Sequence, residues 1–150
     1  MNAAVVPRVA VVGCGYWGRN LVRNFHALGA LAVVVDATPA GRKLAAELAP
    51  GVDVVSDLEA VLARPDVDGM ALATPAATHA PLGVRVLDAG KDLFVEKPMA
   101  MDVAGGRLLV ARAAATHRML QVGHLLEYHP AVLAARRRSM AADGQPTRSN

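Results

Sequence analysis

A chain of 150 residues that is 53% hydrophobic and 19% charged is one ordinary folded domain, long enough to bury a core and too apolar to be disordered. Its single cysteine, Cys14, excludes an internal disulfide and any Cys-x-x-Cys metal spacing, so no metal site is expected and a reduced, cytoplasmic setting is the default. The net charge of +3 is local, because residues 1–117 carry 11 basic and 11 acidic side chains and the excess lies in 118–150.

That excess includes Arg136, Arg137 and Arg138, which read as a solvated helix end and not as a nucleic-acid surface, since no aromatics interleave them. No apolar run is long enough for a membrane span, so no membrane partner is expected. The chain enters its first strand at once, which leaves no room for a signal peptide. Aromatics are only 3% of the residues, so the core is to be built from Ala, Val and Leu.

Residues 9–18 read Val-Ala-Val-Val-Gly-Cys-Gly-Tyr-Trp-Gly, an apolar β-branched run that turns directly into Gly-x-Gly-x-x-Gly. In that pattern Gly13 allows the tight turn out of the strand and Gly15 lets the backbone approach a pyrophosphate. Gly18 lets the next helix pack close to the sheet. An amphipathic helix over 17–28 follows, its free N–H groups and partial positive charge aimed at the anion. A second apolar run over 31–35 ends in Asp36, 18 residues after Gly18, the place of an acid that binds adenosine ribose hydroxyls. A structural turn plus a helix-capping Asp is the competing explanation, and strand, glycines, helix and acid together outweigh it. Cys14 inside the turn reads as a small filler, a reactive thiol being the less favoured reading.

Strand and helix signals then alternate. A helix over 39–48 begins at Pro39, a strand covers 52–55, and Asp57 caps a brief helix that stops near Arg64 and Pro65. A strand over 67–73 closes on Thr74-Pro75, and a helix over 78–89 stops at Gly90. The fifth strand, 93–95, runs into Glu96-Lys97-Pro98. A helix over 102–116 is weakened by Gly105-Gly106, and a sixth strand covers 119–122. A last helix is expected over 131–142. Six strands with five crossovers predict an α/β fold, a doubly wound parallel sheet of the Rossmann type in the order 3-2-1-4-5-6.

In such a sheet ligands bind beyond the carboxyl ends of the strands, where strand order reverses. The residues there are the glycine turn, Asp36, the stretch from Ala73 to His79, Glu96-Lys97-Pro98 and Gly123-His124. Lys97 is the sharpest candidate: its ammonium can hydrogen-bond a nicotinamide ribose or a substrate hydroxyl and assist proton transfer. Pro98 keeps Lys97 extended, and Glu96 is placed to orient the lysine or pair with it. His79 is either a proton donor or acceptor or a first-turn helix residue. His124 is either pocket lining, with a tentative catalytic role, or a structural hydrogen-bonding group. Tyr128 and His129, just before Pro130, fit helix capping as well as catalysis.

Taken together, Gly13-Cys14-Gly15-Tyr16-Trp17-Gly18, Ala73-Thr74-Pro75 through His79, and Glu96-Lys97-Pro98 resemble the glucose-fructose oxidoreductase / inositol dehydrogenase / rhizopine-catabolism (Gfo/Idh/MocA) family over residues 8 to about 135. The resemblance implies NAD(P)-dependent oxidation or reduction of a sugar, polyol or nucleotide sugar. It implies that Lys97 is the active-site lysine. Thr74, Pro75 and His79, together with Tyr16, Trp17 and Glu96, would contact the cofactor, and Asp36 would favour NAD over NADP. The segment from Gly123 to Pro130 is similar to the subgroup acting on UDP-N-acetylglucosamine-type sugars, with Glu127 standing where many members have Arg.

On this reading residues 1–123 are the cofactor domain and 124–150 a linker and helix leading toward the family's C-terminal α/β substrate domain, which this sequence lacks. Little turnover by the chain alone is then expected, with a homo-oligomer or a separate substrate-domain chain as partner. Two other readings stay open: a non-catalytic NAD sensor or partner-binding module, and an S-adenosylmethionine-dependent methyltransferase. Glu96-Lys97-Pro98 counts against the last.

Overall fold

A computed structural model describes residues 6–143. Six parallel strands form one sheet in the order β3-β2-β1-β4-β5-β6, with β1 Val9–Val12, β2 Leu31–Val35, β3 Asp53–Val55, β4 Gly69–Leu72, β5 Asp92–Val95 and β6 Leu120–Val122. This is the expected doubly wound arrangement. Every residue of β2 and β4 is buried, which is why these strands read as unbroken apolar runs without polar alternation.

Helices cover the two faces unequally. On one side α1 (Gly18–Ala27) and α2 (Pro39–Leu48) press Val22 and Ala45 onto Val11, Val34 and Ala71. On the other, α3 (Leu58–Leu62), α4 (His79–Asp88) and α5 (Val103–Thr116) bring Val61, Val86, Leu87 and Leu109 against Ala10, Val33, Met70, Leu72, Leu93 and Val95. The core is aliphatic as the composition requires, with Met70 and four leucines its largest fully buried apolar side chains.

Several boundaries moved for local reasons. Trp17 is the residue before α1 and not its first turn. The helix expected from Thr78 is preceded by a 3-10 turn, Ala76–Thr78, because Pro75 starts a tight turn that Thr78 closes through its N–H to the Pro75 carbonyl. Gly105-Gly106 does not prevent α5, since Asp102 accepts from the Gly105 N–H at 2.7 Å and Gly106 lies buried in the packed face. A 3-10 turn at Leu125–Tyr128, absent from the sequence reading, leads to α6 (Pro130–Asp143). His129 caps α6 through its ring, which accepts from the Ala131 N–H, so the capping reading of that residue holds. Arg136, Arg137 and Arg138 are exposed on α6.

Candidate functional site

The glycine turn joins β1 to α1 at the carboxyl edge of the sheet. Gly13 adopts φ +92°, and a Cβ there would stand 2.8 Å from the Ala73 carbonyl oxygen. Its N–H donates to the Val35 carbonyl, so the turn is tied to the end of β2. At Gly18 a Cβ would overlap the Gly13 carbonyl, so only glycine lets α1 begin against the turn. Gly15 is different: nothing lies within 4 Å of where its Cβ would be. The open backbone at Gly15 faces a helix end without a side-chain cap and without an acidic first-turn residue. The Arg19 and Asn20 N–H groups turn back to the Gly15 and Trp17 carbonyls, so a phosphate would be met by the N–H groups of the turn itself, and with the partial positive charge and open space there the residues present fit a pyrophosphate.

Asp36 sits beyond β2, and its carboxylate is already engaged. Oδ2 accepts from the Cys14 N–H at 2.7 Å, and Oδ1 accepts from the Thr38 N–H at 2.8 Å and the Thr38 hydroxyl at 2.7 Å. Partial burial raises the Asp36 pKa, but those hydrogen bonds and the charge of Arg42 outweigh it, leaving the group below the ordinary carboxyl value. A carboxylate offers about four acceptor positions, so three protein donors leave room for one ribose hydroxyl and not for a free two-point grip. Gly41 makes the geometry possible, because a Cβ there would overlap the Asp36 carboxylate. Cys14 is buried as a filler, and that burial together with the charge of Asp36 raises its thiol pKa.

A cleft of about 750 Å³ opens beside the glycine turn, within the range of small-molecule sites. Tyr16 and Trp17 form one wall, Thr74 and His79 another, and Glu96, Lys97 and His124 a third, with Glu127 at the rim. Tyr16 is 83% exposed, and the Arg19 guanidinium lies over its ring at 5.0 Å. Thr78 donates its hydroxyl to the Pro75 carbonyl at 2.7 Å, so the Thr74 hydroxyl donates to Thr78 across 2.7 Å. Pro75 starts the turn that holds this loop. His124 is exposed at the end of β6.

Lys97 is exposed, and its ammonium has no ion-pair partner among the described residues. Of the two roles expected of Glu96, orienting the lysine or pairing with it, the ion pair does not form. Neighbouring residues leaving a strand point to opposite faces, so Glu96 reaches only the Lys97 backbone N–H, at 3.3 Å. Glu96 is instead 6% exposed, its Oε1 has no hydrogen-bond partner, and its carboxylate rests against Gly123, where a Cβ would come within 2.9 Å of Oε1.

His79 takes the second of its two expected places, as the first residue of α4. Its ring is 1% exposed, with Nδ1 2.7 Å from the Pro98 carbonyl and Nε2 2.9 Å from the Thr74 carbonyl. Both ring nitrogens are committed, which removes the free nitrogen that a proton-transfer role in the cleft would need. Thr38 and Gly41 belong to the site and were not singled out in sequence, whereas Thr78 and Gly123 lay within stretches placed at the strand ends without a role of their own. Thr38 carried a signal as a cap residue before Pro39, Thr78 and Gly41 act through partners three to five residues away, and Gly123 meets Glu96 from a distant segment.

The comparisons with known proteins agree with this geometry. Residues 7–124 match the model of an oxidoreductase family with an NAD-binding Rossmann fold. The chain is 31% identical to a UDP-N-acetylglucosamine 3-dehydrogenase of Acidithiobacillus ferrooxidans, over 90% of this chain and 42% of that protein. It is 36% identical to an inositol 2-dehydrogenase of Rhodococcus erythropolis, over 81% of this chain and 36% of that protein. The structure of a dehydrogenase from Thermus thermophilus in complex with NAD and UDP-GlcNAcA superposes with a TM-score of 0.77 at 25% identity, over 88% of this chain and 46% of that one. The chain thus spans less than half the length of the relatives it matches. It belongs to the Gfo/Idh/MocA oxidoreductase family and comprises that family's NAD-binding Rossmann domain.

Proposed function

We propose that the chain holds NAD along the carboxyl edge of the sheet and serves a dehydrogenase of sugars, polyols or nucleotide sugars. The observation that carries the reading is one cleft beside an anion-ready turn, lined also by an ammonium that is unpaired among the described residues. The pyrophosphate would lie over Gly15 at the α1 N-terminus, and the adenosine ribose would give one hydroxyl to Asp36. Asp36 is anionic there, so a 2′-phosphate would meet like charge, which supports NAD over NADP. When bound, the nicotinamide supplies or accepts the hydride.

The protein's own residues set up that exchange. Trp17 and Tyr16 line the wall against which the bound cofactor would lie. Lys97 can donate a hydrogen bond to a sugar oxygen and stabilise negative charge as it develops there. Glu96, its Oε1 lacking a donor, would accept from a hydroxyl of the cofactor, and His124 would line the substrate side. The similarity of the chain to a UDP-N-acetylglucosamine 3-dehydrogenase supports a nucleotide sugar as the first substrate to assay, with inositols as the second.

The test is a titration with NADH following Trp17, the only tryptophan, with NADPH and S-adenosylmethionine in parallel. Saturable quenching by NADH, weaker with NADPH and absent with S-adenosylmethionine, is expected. No response from a folded chain refutes the cofactor reading, and binding that changes self-association without supporting any turnover favours the sensor.

A further inference from the structure

We propose that His79 is a positioning residue for Lys97, clasping the loop after β4 to the loop after β5 from behind the cleft. The ring is fully buried at the first residue of α4, and its two nitrogens reach one carbonyl on each of two loops. Nε2 meets the carbonyl of Thr74, the second residue beyond β4. Nδ1 meets the carbonyl of Pro98, the residue after Lys97. Both partners are carbonyl oxygens, which only accept, so the ring must supply the protons. A neutral imidazole satisfies one of these bonds and an imidazolium both. No other side chain donates to the Pro98 carbonyl among the described residues, and Lys97 and Pro98 are themselves exposed. The clasp is therefore what fixes the backbone from which the Lys97 side chain starts. The other ionisable groups on the same cleft are Tyr16, Glu96, Lys97, His124 and Glu127.

This role rests on the reading of Lys97 as the working ammonium of the cleft, but its test need not involve a cofactor. The chain has three lysines, Lys43, Lys91 and Lys97. After reductive ¹³C-methylation of the folded protein, the methyl resonance of Lys97 reports its surroundings, with exposed Lys43 as the reference. In His79→Asn the amide N–H stands where Nδ1 stood and keeps the Pro98 bond. In His79→Gln it stands where Nε2 stood and keeps only the Thr74 bond. The expected result is a Lys97 resonance unmoved in H79N and shifted toward that of Lys43 in H79Q and H79A. NADH affinity should fall about tenfold in H79Q and H79A while ADP-ribose, which lacks the nicotinamide, binds as before.

A purely structural histidine would lower stability in all three variants and leave the Lys97 resonance and the ratio of the two affinities unchanged. That result, or equal shifts in H79N and H79Q, overturns the proposal. Should none of the variants fold, the wild type decides: the His79 ring N–H must exchange with solvent far more slowly than those of His26, His117, His124 and His129, and rapid exchange overturns the clasp. Failure of the wild type to bind NADH or ADP-ribose refutes the cofactor reading alone, because the lysine resonances still decide the role of His79.

Discussion

Gly15→Ala separates the fold from the function at a single methyl group. Nothing lies within 4 Å of where a Cβ would stand at this position, and its φ lies outside the left-handed region, so the folded chain can accept alanine without strain. Replacing glycine by alanine where the backbone permits it narrows the unfolded ensemble and stabilises by about 0.4–1 kcal/mol. For a chain of this size that raises Tm by about 1–4 °C. The same methyl would occupy the space where the pyrophosphate approaches the backbone. A hydrogen bond to a charged group is worth about 1.5–3 kcal/mol, so pushing the phosphates off one N–H weakens NADH by roughly tenfold to a hundredfold. Thermal unfolding and Trp17 fluorescence titration measure the two quantities on the same sample. Gly18→Ala is the control of opposite sign: its Cβ overlaps the Gly13 carbonyl, so both stability and binding should fall. A G15A chain that binds NADH as tightly as the wild type would refute the placement of the pyrophosphate.

Asp36→Asn tests the second anchor. Because the folded pKa of Asp36 lies below its ordinary value, its contribution to stability is complete above about pH 4 and is lost as pH falls through the folded pKa. D36N should therefore flatten the acid limb of the stability profile measured by urea unfolding, and it should narrow the preference for NADH over NADPH. Leu109→Ala opens a cavity between α5 and the sheet and should cost about 2–5 kcal/mol, seen as a lower urea midpoint, with NADH affinity of the folded fraction unchanged. The Cys14 thiol, buried and raised in pKa, should resist iodoacetamide at pH 8 in the native chain and react promptly in urea, as mass spectrometry would show. Rapid native labelling would contradict the closed turn.

What the sequence made legible was whatever local rules govern. Parallel strands covered on both faces leave continuous apolar runs, as 31–35 does, and the order of six strands follows once each crossover carries a helix. The positions of Gly13, Gly18 and Asp36 were readable for the same reason, since each is set by a turn at a strand end. Contacts between distant segments were not readable. That the His79 ring would reach Pro98, 19 residues on, depends on how β4 and β5 are staggered, and so does the meeting of Glu96 with Gly123. The same limit explains Asp36: its place was legible, but the Cys14 N–H that occupies one of its oxygens comes from a turn 22 residues earlier.

One local signal does bear on the ligand site, and it is an omission. Thr38, Asp57 and Asp102 each accept a backbone N–H at the start of α2, α3 and α5, where side chains replace the lost hydrogen bonds of the first turn. Trp17 and Thr78 make no such bond at the start of α1 and α4. At α4 the preceding 3-10 turn stands in for a cap, the His79 N–H donating to the Ala76 carbonyl, whereas α1 has no such turn before it and begins at the wall of the cleft, with Trp17 lining it. A helix that can satisfy its first turn with a serine, threonine or aspartate gains about 1 kcal/mol by doing so. At α1 the backbone makes up part of that loss, the Arg19 and Asn20 N–H groups donating to the Gly15 and Trp17 carbonyls, and with no side chain over the open glycine turn the charge of the helix end is left to favour a phosphate.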